Sequence, residues 1–160
     1  RLDYARLNLR AAEKARSISA FSSSSLYASK GIGFLPDNKW DADHLLTLKL
    51  LTIATEMELA LGNPQNMEAY SQEILSQRKC TALEKNPIYM ANCYKLMDMD
   101  MNSKEAINTL VHALRELNVS LFRYRAMVPV NAISSLMQTI RLAKRAPSSK
   151  YHSLPLMSNR

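Results

Sequence analysis

The sequence predicts an all-α fold of antiparallel helical hairpins, stacked as a degenerate tetratricopeptide-like array and followed by a basic C-terminal helix. Three observations support this prediction. Only three of the 160 residues are glycine, whereas turn-rich β architectures and phosphate-binding loops need more. Apolar residues recur at spacings of three and four, as they do in amphipathic helices. Asparagine and proline lie together between such stretches, where they mark helix starts.

The first hairpin is predicted over about residues 3–36. Its first helix runs from Asp3 to Ser17 and its second from about Ser19 to Phe34, with Pro36 closing it. The apolar stripe of the first helix is Ala5, Leu9, Ala12 and Ala15, and that of the second is Phe21, Ala28, Ile32 and Leu35. Four consecutive serines, residues 22–25, weaken the second helix because serine competes for backbone hydrogen bonds.

The second hairpin is predicted over about residues 41–79. Leucines lie nearly all round its first helix, which indicates that other elements cover it on more than one face. Gly62, Asn63 and Pro64 supply a C′ glycine, an N-cap and a first-turn proline in succession. This triplet predicts that a second helix begins directly after the first one ends.

The third hairpin is predicted over about residues 86–118. Asn86 and Pro87 repeat the cap-and-proline pattern and predict a helix start. Asn102 and Glu105 form a capping-box pattern before an apolar stripe of Ile107, Leu110, Val111, Leu114 and Leu117.

A repeat register supports the array. Ala106, Leu110 and Ala113 have the small, large, small spacing by which second helices of tetratricopeptide units meet their neighbours. We place Ala69 and Ser24 at the position equivalent to Ala106 in the two preceding hairpins.

Residues 119–160 are predicted to form a basic helix, from about Val130 to Arg145, and an irregular tail. Seven of the 21 basic residues and none of the 14 acidic ones lie in this segment, so residues 1–118 are neutral and the net charge of +7 belongs to the C-terminal part. Such a helix can dock on a protein partner or on an anionic membrane, or it can cap the last hairpin with its charges in water. Nucleic acid is disfavoured because no recognition motif is present. The candidate docking residues are Arg123, Arg125, Arg141, Lys144, Arg145 and Lys150.

No catalytic, cofactor-binding or metal-binding residue is predicted. The glycine motifs of nucleotide sites and serine hydrolases are missing. Cys80 and Cys93 have no cysteine or histidine at ligand spacing, which argues against a disulfide or a zinc site and favours a reducing, intracellular compartment. A hidden enzyme would need a cleft that brings His44 or His112 beside a carboxylate. We expect surface or capping roles for these histidines instead.

The sequence has no apolar run long enough to span a membrane. Because the first residue is Arg1 rather than Met, we interpret the chain as a processed or truncated piece of a longer protein. Organelle targeting by a lost upstream segment stays open.

Several short motifs occur in an order that resembles a known family. They are the run of residues 7–15, Ala20-Phe21, Tyr27-Ala28, Lys30-Gly31-Ile32, Leu35-Pro36, Trp40, Leu46-Thr47-Leu48, the Gly62 turn, Glu105-Ala106-Ile107 and Leu154-Pro155-x-Met157. Over about residues 4–157 the chain resembles the helical, tetratricopeptide-like region of large AAA/STAND-type signalling ATPases. It is similar to the helical part of the maltose-regulon activator and of ATPase-linked sensor histidine kinases.

The resemblance implies a relay or docking region. It carries over no catalytic residue, because the nucleotide-binding domain of that family has no counterpart in these 160 residues. We therefore expect a non-catalytic scaffold or docking module, a fragment or relative of a signalling ATPase. The alternative is a peripheral structural subunit of a large assembly, anchored by the basic C-terminal segment. This alternative includes assemblies that are associated with a membrane.

Overall fold

The computed structural model describes residues 1–119, together with Met137. All regular structure in residues 1–119 is helical, which confirms the all-α prediction for this part of the chain. The chain divides into two units, Arg1–Val119 and Ser120–Arg160. The predicted basic helix and tail lie in the second unit and, except for Met137, outside the described residues. The helices of the first unit are α1 (Leu2–Ser17), α2 (Phe21–Gly33), α3 (Lys39–Ala42), α4 (His44–Ala60), α5 (Pro64–Ser76), α6 (Ala82–Asp98) and α7 (Ser103–Glu116).

Helices α1 and α2 pack in opposite directions. The hydroxyl of Ser24 near the start of α2 donates to the carbonyl of Ala12 near the end of α1, at 2.9 Å. Gly31, late in α2, lies beside Asn8 in the first half of α1. The serine run is helical although serine is a modest helix former, because Ser24 and Ser25 are buried with their hydroxyls hydrogen-bonded. Phe21, predicted as buried, is instead 40% exposed.

Helix α4 is the central element of the described unit. It packs against α1, α2, α3, α5 and α6, and this many-sided cover confirms the reading of its leucines. Its buried residues join two core clusters, one with α1 and α2 around Leu50 and one with α5 and α6 around Leu51. Two ion pairs, Arg6 with Asp43 at 3.0 Å and Arg16 with Glu56 at 2.6 Å, show that α1 and α4 run in the same direction.

Helix α6 begins earlier than its proline predicts. Thr81 caps it in a reciprocal capping box with Glu84, and Pro87 therefore lies inside the helix at its sixth position. The missing proline N–H removes one backbone hydrogen bond in this stretch, but the capping box satisfies donors of the first turn. The predicted start at Asn86 is wrong because a stronger cap lies five residues upstream.

Helix α7 begins where the sequence predicts. The side chain of Asn102 accepts from the backbone N–H of Glu105 at 3.2 Å. The backbone N–H of Asn102 donates to the carbonyl of Leu96 at 2.7 Å, so the predicted capping box is replaced by a one-sided cap. Cys93 of α6 contacts the Ala106 carbonyl of α7, and Tyr89 reaches Glu116, so these two helices run in opposite directions.

The helices form three successive pairs, α1 with α2, α4 with α5 and α6 with α7, and the second helices of these pairs have similar buried positions. The fourth, eighth and eleventh residues of α2 and α5 are buried, and in α7 the fourth and eleventh are buried while the eighth is half-buried. These residues are Ser24, Ala28 and Gly31; Met67, Ser71 and Ile74; and Ala106, Leu110 and Ala113. The placement of Ala69 in this register is wrong. Ala69 is exposed because it lies two positions, about 200° of helix rotation, away from Met67.

None of the helices in residues 1–119 combines the length and the apolar character that crossing a bilayer requires.

Candidate functional site

A groove of about 320 Å³ lies between the first helices of the three pairs, and we call it the α1/α4/α6 groove. Two of its leucines are strongly exposed, Leu45 at 58% and Leu83 at 73%. Large apolar side chains this exposed are a common mark of binding surfaces when they cluster. The lining residues are Glu13, Arg16, Leu45, Leu48, Lys49, Thr52, Ile53, Leu83, Glu84 and Pro87.

The charges around this groove are partly compensated. Arg16 pairs with Glu56, and Glu84 pairs with His44. Lys49 is exposed and has no hydrogen bond or ion pair with another described residue. As far as the described part of the chain shows, the groove therefore offers an apolar surface with one cation, Lys49, available to a ligand.

Glu84 of the groove also belongs to a compact cluster with His44 and Cys80. Nε2 of His44 lies 3.1 Å from Oε1 of Glu84, and the ligand atoms of all three side chains lie within 4.8 Å of one another. His44 is the first residue of α4, Cys80 lies in the turn before α6, and Glu84 is in the first turn of α6. The packing of α6 along α4 brings them together.

The electrostatics of the cluster follow from its local hydrogen bonds and burial. The backbone N–H of Thr81 donates to Oε2 of Glu84 at 2.7 Å and, with smaller contributions from the Thr81 hydroxyl and His44, lowers the pKa of this carboxyl. Burial raises the pKa of the Cys80 thiol, and the negative charge of Glu84 adds to the effect. Cys80 is therefore a thiol at neutral pH, and the cluster lacks the thiolate that a cysteine nucleophile needs.

The sequence prediction missed this cluster. Its members are separated by 36 and 4 residues; the histidine belongs to the second predicted hairpin, whereas the cysteine and the glutamate lie between the second and the third. The only local signal is the run from Cys80 to Glu84, in which Thr81 and Glu84 have capping-box spacing. His44 does lie beside a carboxylate, as the hidden-enzyme hypothesis requires.

His112 occupies a different environment from His44. Its ring packs against that of Tyr89 with centroids 5.8 Å apart and the ring planes tilted by 55°. The Tyr89 hydroxyl donates to Glu116 at 2.9 Å, and burial together with this carboxylate raises the pKa of Tyr89 to about 12. Tyr89 also lines a second groove, of about 370 Å³, between α5, α6 and α7.

A buried carboxylate connects α2, α4 and α5. Glu58 is 7% exposed and accepts hydrogen bonds from the Ser25 hydroxyl and from the side-chain amides of Asn63 and Asn66, at 3.0 and 3.2 Å for the amides. Three neutral donors, from α2, from the α4–α5 turn and from α5, satisfy this acid. Glu58 therefore has a structural explanation, which is to fix the α4–α5 turn against α2.

The six predicted docking residues lie outside the described residues: Arg123, Arg125, Arg141, Lys144, Arg145 and Lys150.

Comparison with known proteins gives no relative from which to transfer a function. No protein-family model matches the chain, and no curated protein or solved structure matches it either.

Proposed function

We propose that this chain is a non-catalytic helical-repeat docking module with a degenerate tetratricopeptide-like arrangement. Two features support the arrangement. Helices α1 and α4 run in the same direction, and α2 packs both on its own partner α1 and on the following α4. The second helices also bury the same fourth and eleventh positions, and the eighth is buried in α2 and α5 and half-buried in α7, as expected when similar hairpins stack in succession.

The observation that carries the docking function is the α1/α4/α6 groove with its exposed leucines. Stacked hairpins create extended surfaces along their first helices, and repeat proteins use such surfaces for binding. Leu45 and Leu83 offer apolar contacts, and Lys49 offers a cation that no residue within 1–119 pairs with. The occupant we propose is a peptide segment of another protein that carries apolar side chains and one acidic group.

The test compares the native particle formed by the wild type with the particles formed by groove variants. We expect one protein chain to co-purify in a fixed ratio with the wild type. Leu45→Asp and Leu83→Asp should each weaken this association at least about tenfold, since each places a charge in an apolar contact. Leu26→Asp is the matched control, because Leu26 is 52% exposed on α2 and does not line the groove.

Two results would contradict the docking function. One is a wild-type chain that stays monomeric with no chain cross-linked to it. The other is a bound partner that the two groove variants release no more readily than the Leu26 control does. Circular dichroism of each variant checks that the helices are intact.

The relationship to AAA/STAND-type signalling ATPases is part of this proposal and is supported by the order of short motifs over residues 4–157. The full-length transcript tests it. A reading frame that encodes a nucleotide-binding domain ahead of Arg1 would support the relationship, and a complete frame without such a domain would contradict it.

A second function follows from the charge of residues 119–160, which hold seven basic and no acidic residues. In this alternative the chain is a peripheral subunit of a large assembly, anchored through its basic segment. Replacing Arg141, Lys144 and Arg145 with Gln should then release it from the assembly at moderate salt, because screening weakens such contacts. Association that is unchanged by the triple substitution would refute the alternative.

A further inference from the structure

His44, Cys80 and Glu84 bring three different kinds of metal ligand to one point of the fold. We propose that Nε2 of His44, Sγ of Cys80 and Oε1 of Glu84 bind a zinc-class divalent cation. The set of one thiolate, one imidazole and one carboxylate suits zinc and disfavours magnesium and calcium, which take oxygen ligands. Three protein ligands leave the fourth tetrahedral position to a water molecule.

The geometry requires only a small adjustment. In a tetrahedral zinc site the ligand atoms lie about 3.5 Å from one another, given bonds of about 2.0–2.3 Å. His44 and Glu84 are already 3.1 Å apart, and the longest separation in the cluster is within 4.8 Å. Shortening this longest separation to about 3.5 Å takes at most about 1.3 Å. Cys80 lies in the turn between α5 and α6, where a side-chain rotation can supply this movement.

The surroundings hold two of the ligands in place. The N–H and the hydroxyl of Thr81 both donate to Oε2 of Glu84, at 2.7 and 2.9 Å, and leave Oε1 directed at His44. The ring of Trp40 lies against that of His44, with centroids 5.4 Å apart. Contacts of this kind orient ligands in metal sites. Cys93, by comparison, is buried against the Ala106 carbonyl, and within residues 1–119 it belongs to no group of potential metal ligands.

Metal binding changes the protonation of the cluster in a defined way. The Cys80 S–H bond breaks, its proton goes to solvent, and the sulfur forms a bond to the cation. No oxidation is involved. The bound ion would join the start of α4 to the start of α6 and so fix one hairpin against the next. This role goes beyond partner docking and does not depend on it.

The experiment uses the full chain, zinc and cobalt(II). Calorimetry with zinc should give one equivalent bound per chain, and zinc should raise the midpoint of thermal unfolding. Cobalt(II) should give a thiolate-to-metal charge-transfer band together with the visible bands of tetrahedral coordination. Cys80→Ser should abolish the charge-transfer band, and both Cys80→Ser and His44→Gln should weaken zinc binding at least about 100-fold, more than the loss of an outer-shell contact does.

Cys93→Ser and His112→Gln are matched controls, since they change the other cysteine and another described histidine outside the cluster. Both should bind zinc as the wild type does. The proposal is overturned if the wild type binds no stoichiometric zinc, or if a control weakens binding as much as the cluster variants do. It is also overturned if Cys80→Ser keeps full affinity, because the metal would then be held without the thiolate. Unaltered circular dichroism of Cys80→Ser excludes loss of folding as the cause.

Discussion

The substitution Gly31→Ala tests the closest approach between α2 and α4. A Cβ at this position would lie 2.6 Å from Cδ2 of Leu50 and 3.2 Å from Cβ of Asn8. Leu50 is fully buried and lies in the core shared by α1, α2 and α4, so it has little room to move. The new methyl group must therefore displace a packed side chain.

Two opposing effects set the size of the change. Replacing a helical glycine by alanine stabilises a helix by about 1 kcal/mol. Overpacking a dense core costs about 1–3 kcal/mol. The net expectation for Gly31→Ala is a loss of about 1 kcal/mol in the free energy of unfolding.

Gly33 provides a matched control in the same helix. A Cβ at Gly33 would meet no atom within 4 Å, so Gly33→Ala retains the gain without the clash. We expect a gain of about 0.5 kcal/mol there, since less chain entropy is lost on folding. The two variants should therefore differ by about 1.5 kcal/mol.

Urea unfolding of the full chain, followed by far-ultraviolet circular dichroism, measures this difference. If Gly31→Ala is as stable as Gly33→Ala, the close contact between Gly31 and Leu50 is refuted, because α2 then does not approach Leu50 this closely. Leu50→Val gives a second check, since it shortens the displaced side chain. The double variant Gly31→Ala, Leu50→Val should lose about 1 kcal/mol less than the sum of the single losses.

Four further substitutions test polar contacts by the same urea unfolding, with tyrosinate absorbance as a second measurement for Tyr89. Ser24→Ala removes the hydrogen bond to the buried Ala12 carbonyl and should cost about 1–2 kcal/mol. Alanine at the exposed Ser22 or Ser23 should change stability by less than about 0.5 kcal/mol. An equal loss at all three serines would contradict the burial of Ser24. Thr81→Ala removes the N-cap of α6 and should cost about 1 kcal/mol. Because folding lowers the pKa of Glu84 from its ordinary 4.5, the contribution of Glu84 to stability is complete above pH 4.5 and declines as the pH falls through the lower folded pKa. This expectation is contradicted if the wild type becomes more stable relative to Glu84→Gln on acidification from neutrality to pH 4. Tyr89→Phe should cost about 1 kcal/mol of unfolding free energy at pH 7. Because folding raises the pKa of Tyr89 from 10.0 to about 12, this contribution should be lost as the pH rises between these values. A tyrosinate absorbance change that is complete near pH 10 in the folded wild type would refute the buried environment.

Local sequence signals predicted the helices that begin with a cap and carry a clear apolar stripe. Pro64 and Asn102 mark their helix starts as expected, because cap chemistry acts within one turn. The start of α6 was predicted wrongly from Asn86 and Pro87 because the capping box that begins the helix lies five residues upstream of Asn86. The box satisfies donors of the first turn, whereas the proline at the sixth position costs only one hydrogen bond.

Contacts between distant segments could not be predicted in the same way. The repeat register favours Ala69 as the contact point, whereas the structure buries Met67, which lies two residues away on a different face of α5. The cluster of His44 and Cys80 has the same origin. Its members meet only because α6 lies along α4, so their sequence spacing contains no ligand pattern.

The polar contacts between α1, α4 and α6 differ from the core in what they contribute. Surface ion pairs are each worth about 0–1 kcal/mol, and the pairs Arg6–Asp43 and Arg16–Glu56 are both partly exposed. Burial of a single leucine such as Leu50 contributes about 1.5–3 kcal/mol. The apolar clusters therefore supply most of the stability, while each pair joins one residue of α1 to one residue of α4 and so defines their register. Between α4 and α6 the polar contact is that of His44 with Glu84. Because the thiol of Cys80 lies beside this pair, a metal ion can strengthen the contact between α4 and α6 in a way that the ion pairs between α1 and α4 do not offer.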